Sequence, residues 1–107
     1  MNHDTLHNRL VERVTFEAPT ITPDDMGGHT TSWAVYTHSF AEVLPVGPGR
    51  RNADDVRVRV NQYTLTVRPD DGIVEAMRVR WQSITLRITA ITRFKHHIEI
   101  SCESEVL

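Results

Sequence analysis

The feature that most restricts this chain is a strict two-residue alternation in its second half. Met77-Arg78-Val79-Arg80-Trp81 and Ile84-Thr85-Leu86-Arg87-Ile88 each put an apolar group at every second position. Successive side chains of a strand point to opposite faces, so these runs fit half-buried strands and would scatter their apolar groups around a helix. Ile98, Ile100 and Cys102 repeat the pattern against Glu99, Ser101 and Glu103, as do Val14, Phe16 and Ala18 against Arg13, Thr15 and Glu17. A tight turn at Gln82-Ser83 pairs Trp81 with Ile84 and Val79 with Leu86, which gathers the apolar groups of both strands on one face. Composition agrees: Val, Ile and Thr, which suit a pleated surface, make up 31 of the 107 residues.

Turn chemistry divides the rest. Pro19 and Pro23 are expected to end the first strand, and Thr22 to Gly28 to form a loop whose glycines supply positive φ. Residues 29–36 and 39–45 read as extended, anchored by Trp33, Val35, Phe40, Val43 and Leu44. Residues 46–55 read as a mobile surface loop, because Gly47, Pro48 and Gly49 oppose both helix and ladder. Val56, Val58 and Val60 alternate in one parity and Tyr63, Leu65 and Val67 in the other. A hairpin turn at Asn61-Gln62 or a bulged single strand accounts for the change equally well. Pro69-Asp70-Asp71-Gly72 is a turn, and helix is limited to a possible turn around residues 72–77. Six to eight short strands predict an all-β fold, a small antiparallel barrel or sandwich with long surface loops, as one domain over residues 1–107. The expected core holds Val14, Phe16, Trp33, Val43, Val79, Trp81, Leu86, Ile88, Ile98 and Ile100.

Several classes of function lose ground. The longest unbroken apolar run is Trp33-Ala34-Val35-Tyr36, far short of a membrane-spanning helix. Residues 1–10 show no apolar core of a secretory signal. Twelve basic residues against fourteen acidic give a net charge of −2, opposite in sign to a protein that binds nucleic acid through phosphates. Cys102, the sole cysteine, excludes an intrachain disulfide and reads as a core residue. His3 and His7 lie in the polar N-terminal tail. His96 and His97, read as neighbours on a strand, point to opposite faces, and His29 and His38 have no partner at ligand spacing, so no metal site or cofactor is expected. The carboxylate pairs Asp24-Asp25, Asp54-Asp55 and Asp70-Asp71 all fall in turns, which explains them without catalysis. Gly47-Pro48-Gly49-Arg50-Arg51 lacks the Lys-Ser/Thr of a phosphate loop. No feature argues for an enzyme.

What remains is surface. Eleven of the twelve basic residues are Arg, a bias that favours bidentate interface pairing or reflects a GC-rich coding sequence. Arg57, Arg59, Arg78, Arg80 and Arg87 take the outward parity, and Glu99, Glu103 and Glu105 gather on the last strand. These groups make either ordinary solvated faces or a head-to-tail contact that closes a ring. Arg50, Arg51, Asp54, Asp55, Arg57, Arg59, Glu99 and Glu103 are the candidate assembly residues.

The order of these segments resembles the phage head–tail joining family. Leu10-Val11-Glu12-Arg13-Val14-Thr15-Phe16, Pro19, Asp24-Asp25-Met26-Gly27-Gly28 and Trp33 resemble its opening. Phe40-Ala41-Glu42-Val43-Leu44-Pro45 resembles its Trp-Ala-x-Val-x-Pro strand, with Phe for Trp. Thr64-Leu65-Thr66-Val67-Arg68 with Asp71-Gly72-Ile73, then Met77-Arg78-Val79, Leu86-x-Ile88-x-x-Ile91 and Ile98-x-Ile100-x-Cys102 complete the pattern. Gly49-Arg50-Arg51 departs from the family's Gly-x-Glu, and the Gln82-Ser83 turn lacks its usual Gly. The resemblance implies a head-closure, or stopper, protein of a tailed phage or phage-like gene transfer agent. Such a protein forms a homo-oligomeric ring, sixfold or twelvefold, with portal and adaptor above and a tail terminator or tail tube protein below. Packaged DNA passes through without sequence-specific binding, no membrane is involved, and the expected location is the particle's head–tail interface, assembled in the bacterial cytoplasm. The alternatives are a tail terminator or other connector ring protein, and a free-standing barrel that binds peptide or single-stranded nucleic acid. The inward parities of Phe16, Tyr63 and Trp81 count against base stacking in the last.

Overall fold

The structure, a computed structural model, describes residues 9–53 and 56–105. It contains six strands: β1 (Glu12–Pro23), β2 (His29–Ala53), β3 (Val56–Val67), β4 (Arg78–Trp81), β5 (Ile84–Arg93) and β6 (Ile98–Glu105). All pairings are antiparallel, and the strands close into a barrel in the order β1-β2-β3-β6-β5-β4, with β4 returning to β1. Of the two architectures the sequence allows, the chain takes the barrel, which leaves no open edge in its closed part. No helix among the described residues is long and apolar enough to cross a membrane.

Alternation builds the core as expected. Val14, Phe16, Val79, Leu86, Ile88, Ile98, Ile100 and Cys102 are buried, joined by Ala41, Leu65, Val67, Ile73 and Met77. Trp81 pairs with Ile84 and Val79 with Leu86 across the Gln82-Ser83 turn. Gln82 there has φ 56°, the left-handed conformation that a two-residue hairpin needs and that Gly would take more easily. Ile73 is drawn into the core by the 69–77 connection. Asp70 Oδ1 accepts from Gly72 N at 2.9 Å, and the Arg93 guanidinium donates to the carbonyls of Asp70 and Ile73.

Four sequence readings are corrected. β1 does not stop at Pro19 but runs to Pro23. β4 pairs only with residues 14–17, so from Ala18 onward β1 has β2 alone beside it, and a proline costs no second ladder there. Residues 46–53 are not a structureless loop. Gly47, Pro48 and Gly49 stand in the ladder opposite Gln62, Asn61 and Val60, on a stretch where β2 has β3 as its sole neighbour. β3 is one continuous strand, and the extra residue lies in its partner, at Val46 of β2. His96 and His97 belong to the β5–β6 turn, where Phe94 N donates to His97 O and the Phe94 and His97 rings stack 4.7 Å apart.

The core list also changes. Trp33 lies outside the core, half-buried beneath the Arg78 guanidinium, 4.3 Å from its ring centre. Val43 and Trp81 pack against the core from partly buried positions, Trp81 edge-on to Tyr63 with ring centres 5.5 Å apart. Val35, Phe40 and Leu44, expected as anchors, are exposed.

Candidate functional site

β2 has 25 residues and organises the surface. It carries two register shifts, one against β1 that leaves Tyr36 as the extra residue, and one against β3 that leaves Val46. Between them, residues 37–45 form part of the closed barrel. Beyond the first shift β2 runs into a two-stranded arm with β1; beyond the second, residues 47–49 stay in a three-stranded stretch with β3 and β6, and a two-stranded arm begins at residue 50. Bulges bend and twist a strand, and they recur at barrel rims for that reason. The arms leave from opposite ends of β2, and the molecule measures 53 × 29 × 24 Å.

The first arm pairs Ala18–Pro23 with His29–Ala34. Directly paired residues share a face, so Glu17, Pro19, Ile21, Thr31, Trp33 and Val35 line one side, and Ala18, Thr20, Thr22, Thr30, Ser32 and Ala34 the other. Arg78 fixes the base: its Nε donates to Glu17 Oε1 at 2.6 Å while its guanidinium covers Trp33. Asp24 Oδ1 ties the tip by accepting from the backbone N–H groups of Met26 and Gly28, both at 2.8 Å, with Gly27 at φ 81°. Met26 is left 92% exposed.

The second arm pairs residues 50–53 with 56–59. Arg50 stands opposite Arg59, Arg51 opposite Val58, and Asn52 opposite Arg57 in the backbone register. Asp54 and Asp55 lie outside the described residues. At the root of this arm an outer groove is lined by Val46, Gln62, Thr64, Thr89, Ser101 and Glu103.

The structure does not bring the eight candidate residues to one place. Arg50, Arg51, Arg57 and Arg59 lie on the second arm, whereas Glu99 and Glu103 lie on β6. Glu103 is buried and accepts from Arg87 Nη2 at 2.5 Å, and Glu99 Oε1 sits 3.5 Å from His97 Nε2. Glu103, Arg87 and Arg78 are therefore engaged within the chain. A further pair was not visible in the sequence: Arg9 grips Glu42 through both nitrogens, at 2.6 and 2.8 Å, and holds the Glu42 carboxyl below its ordinary range. Glu42 stands opposite Thr66 in the β2–β3 ladder, and Thr66 is buried. Arg9 and Glu42 are 33 residues apart, and no local spacing announces the pair.

Among the described residues no three His, Cys, Asp or Glu side chains converge on a metal position. Burial pushes the Cys102 thiol up to about 12, away from the thiolate a nucleophile requires. Among the described residues, half of the ten large exposed hydrophobic side chains lie on β2: Val35, Tyr36, Phe40, Leu44 and Val46. Concentrations of this kind mark contact with other proteins.

Comparison with known proteins points the same way. The fold is similar to that of a chain in the virion of a native gene transfer agent particle, with 23% identity, a TM-score of 0.75, and coverage of 92% of this chain and 96% of that one. It is also similar to protein SF1141 from Shigella flexneri 2a, with 18% identity, a TM-score of 0.68, and coverage of 97% and 96%. No curated protein matches the sequence significantly. A family model for the phage head completion protein matches residues 6–105. Strand order, closed barrel and a match across nearly the whole chain agree: the chain belongs to the phage head completion protein family.

Proposed function

We propose that this chain is a stopper: a ring-forming subunit that closes the head beneath portal and adaptor, helps retain packaged DNA, and offers the surface on which the tail is seated. As a head completion protein it is a structural component of the virion and assembles with other components of the particle. The ring, the DNA retention and the particular neighbours are the reading advanced here, together with the absence of enzymatic activity.

The observation that carries it is the pair of arms at opposite ends of one bulged strand. A closed barrel with a packed core supplies a stiff body, while each arm reaches past it to a different neighbour. The second arm is suited to the inner gate. Its backbone is a continuous hairpin ladder, and Arg50, Arg51, Arg57 and Arg59 concentrate positive charge on it in a chain of net charge −2. A few arginines on a projecting arm can touch phosphates without turning the whole subunit into a DNA-binding protein, whose affinity would hinder ejection.

Shortening this arm tests the proposal. Gly49 and Val60 are direct partners, so an Asn-Gly turn joining them in place of residues 50–59 leaves the barrel strands in register. The expected result is a folded subunit that enters particles, with heads that lose DNA or fail to join tails. Normal yields of DNA-filled, tailed particles would refute the gate.

A further inference from the structure

The first arm ends in a knob, and the wall of the barrel carries a seat that matches it. The knob is Asp25-Met26: Asp24 is used up in tying the turn, Asp25 points to solvent, and Met26 is the most exposed large apolar residue described. The seat is centred on Phe40, 57% exposed on the outer face of β2. Arg13 of β1 is its direct partner and shares that face. An exposed aromatic ring thus stands beside an exposed arginine, and Arg13 forms no ion pair with any described residue.

We infer that the Asp25-Met26 knob of one copy docks on the Arg13-Phe40 seat of the next copy. This rests on the ring reading given above and names the contact that closes the ring. Two properties select a second copy as the occupant. The charges are complementary, a carboxylate brought to the Arg13 guanidinium, and the apolar parts are matched, a flexible thioether laid on an exposed ring. Knob and seat are different patches of the same chain, so the contact is heterologous, and repetition of one rotation closes it.

Cysteine cross-linking in assembled particles separates this contact from the ring itself. Met26→Cys and Phe40→Cys alter exposed side chains, and the native Cys102 is buried, so the new thiols are the reactive ones. Particles carrying both substitutions should, on oxidation, give a ladder of covalent multimers of this chain. Each single variant, and Met26→Cys with Thr92→Cys on the far wall, should stay monomeric. A chemical cross-linker applied to lysines and carboxylates reports the ring independently. Multimers with that reagent and none with the cysteine pair would overturn the knob and seat while the ring stands. No multimers with either would overturn both. As a second readout, Asp25→Arg should lower incorporation into particles at least tenfold, and adding Arg13→Asp to the same chain should restore much of it. Equal incorporation of the single variant and the wild type would also overturn the contact.

Discussion

At the scale of the residue, burial decides what each side chain contributes. Phe16 is fully buried between strands that contact it from both sides, whereas Trp81 is half-buried and braced by Tyr63 and by Glu12, 3.5 Å from its indole nitrogen. Phe16→Ala is expected to cost about 3–5 kcal/mol and Trp81→Ala less, an order that urea midpoints of the two variants will check. Cys102 gives a second outcome. Its thiol, raised to about 12 and buried, remains protonated at pH 8, so it should resist a thiol-specific reagent in the folded protein and react once the chain is unfolded. A third concerns Tyr36, whose hydroxyl donates to Asp70 Oδ1 at 2.8 Å, which raises its pKa above the usual 10. A Cβ on Gly72 would stand 1.9 Å from that hydroxyl, so Gly72→Ala must push the ring aside. Ultraviolet titration of Gly72→Ala should show the Tyr36 transition moved back down toward its ordinary value.

At the scale of the element, the instructive comparison is between strands that alternation revealed and the one it did not. β4, β5 and β6 stay in the barrel, so their inward parity holds from end to end apart from the shift near Thr89, and the turn at Gln82-Ser83 follows from the pattern. β2 is different. Each extra residue, Tyr36 and Val46, reverses the parity of everything beyond it, and an extra residue has no signature of its own in the sequence. Trp33, expected in the core, lies on the arm beyond the shift at Tyr36, and Phe40, expected as an anchor, faces out where Ala41 faces in. The prolines of β1 and β2 misled for a related reason: they argue against a central strand, and these segments are flanked on one side only. The assembly surface was legible as a type, charged and apolar groups left on outward faces, but not as a place, since its position depends on where β2 leaves the barrel. The Arg9–Glu42 pair yields the prediction at this scale. Arg9 depresses the Glu42 pKa, so the pair adds stability above the carboxyl's unfolded value, and this is lost as pH falls through the lower folded value. The difference in denaturation midpoint between wild type and Arg9→Ala should therefore be present near neutral pH and vanish in acid.

At the scale of the whole molecule, charge sets the terms of contact. The net charge is −2, and three of the arginines, Arg9, Arg78 and Arg87, are tied to Glu42, Glu17 and Glu103. The free subunit should not retard double-stranded DNA in a gel at physiological salt, and retardation that fades steeply with added salt would contradict this. Both arms, moreover, hang from the same covalent strand. β1 and β3 lie alongside β2 and antiparallel to it, so tension applied between the two arm tips runs along their ladders instead of prising them apart one rung at a time. Rungs loaded in parallel must yield together. A subunit built in this way behaves as a tie-rod, stiff when pulled lengthwise, and a displacement imposed on one tip by whatever binds there arrives at the other without being absorbed in the barrel between them.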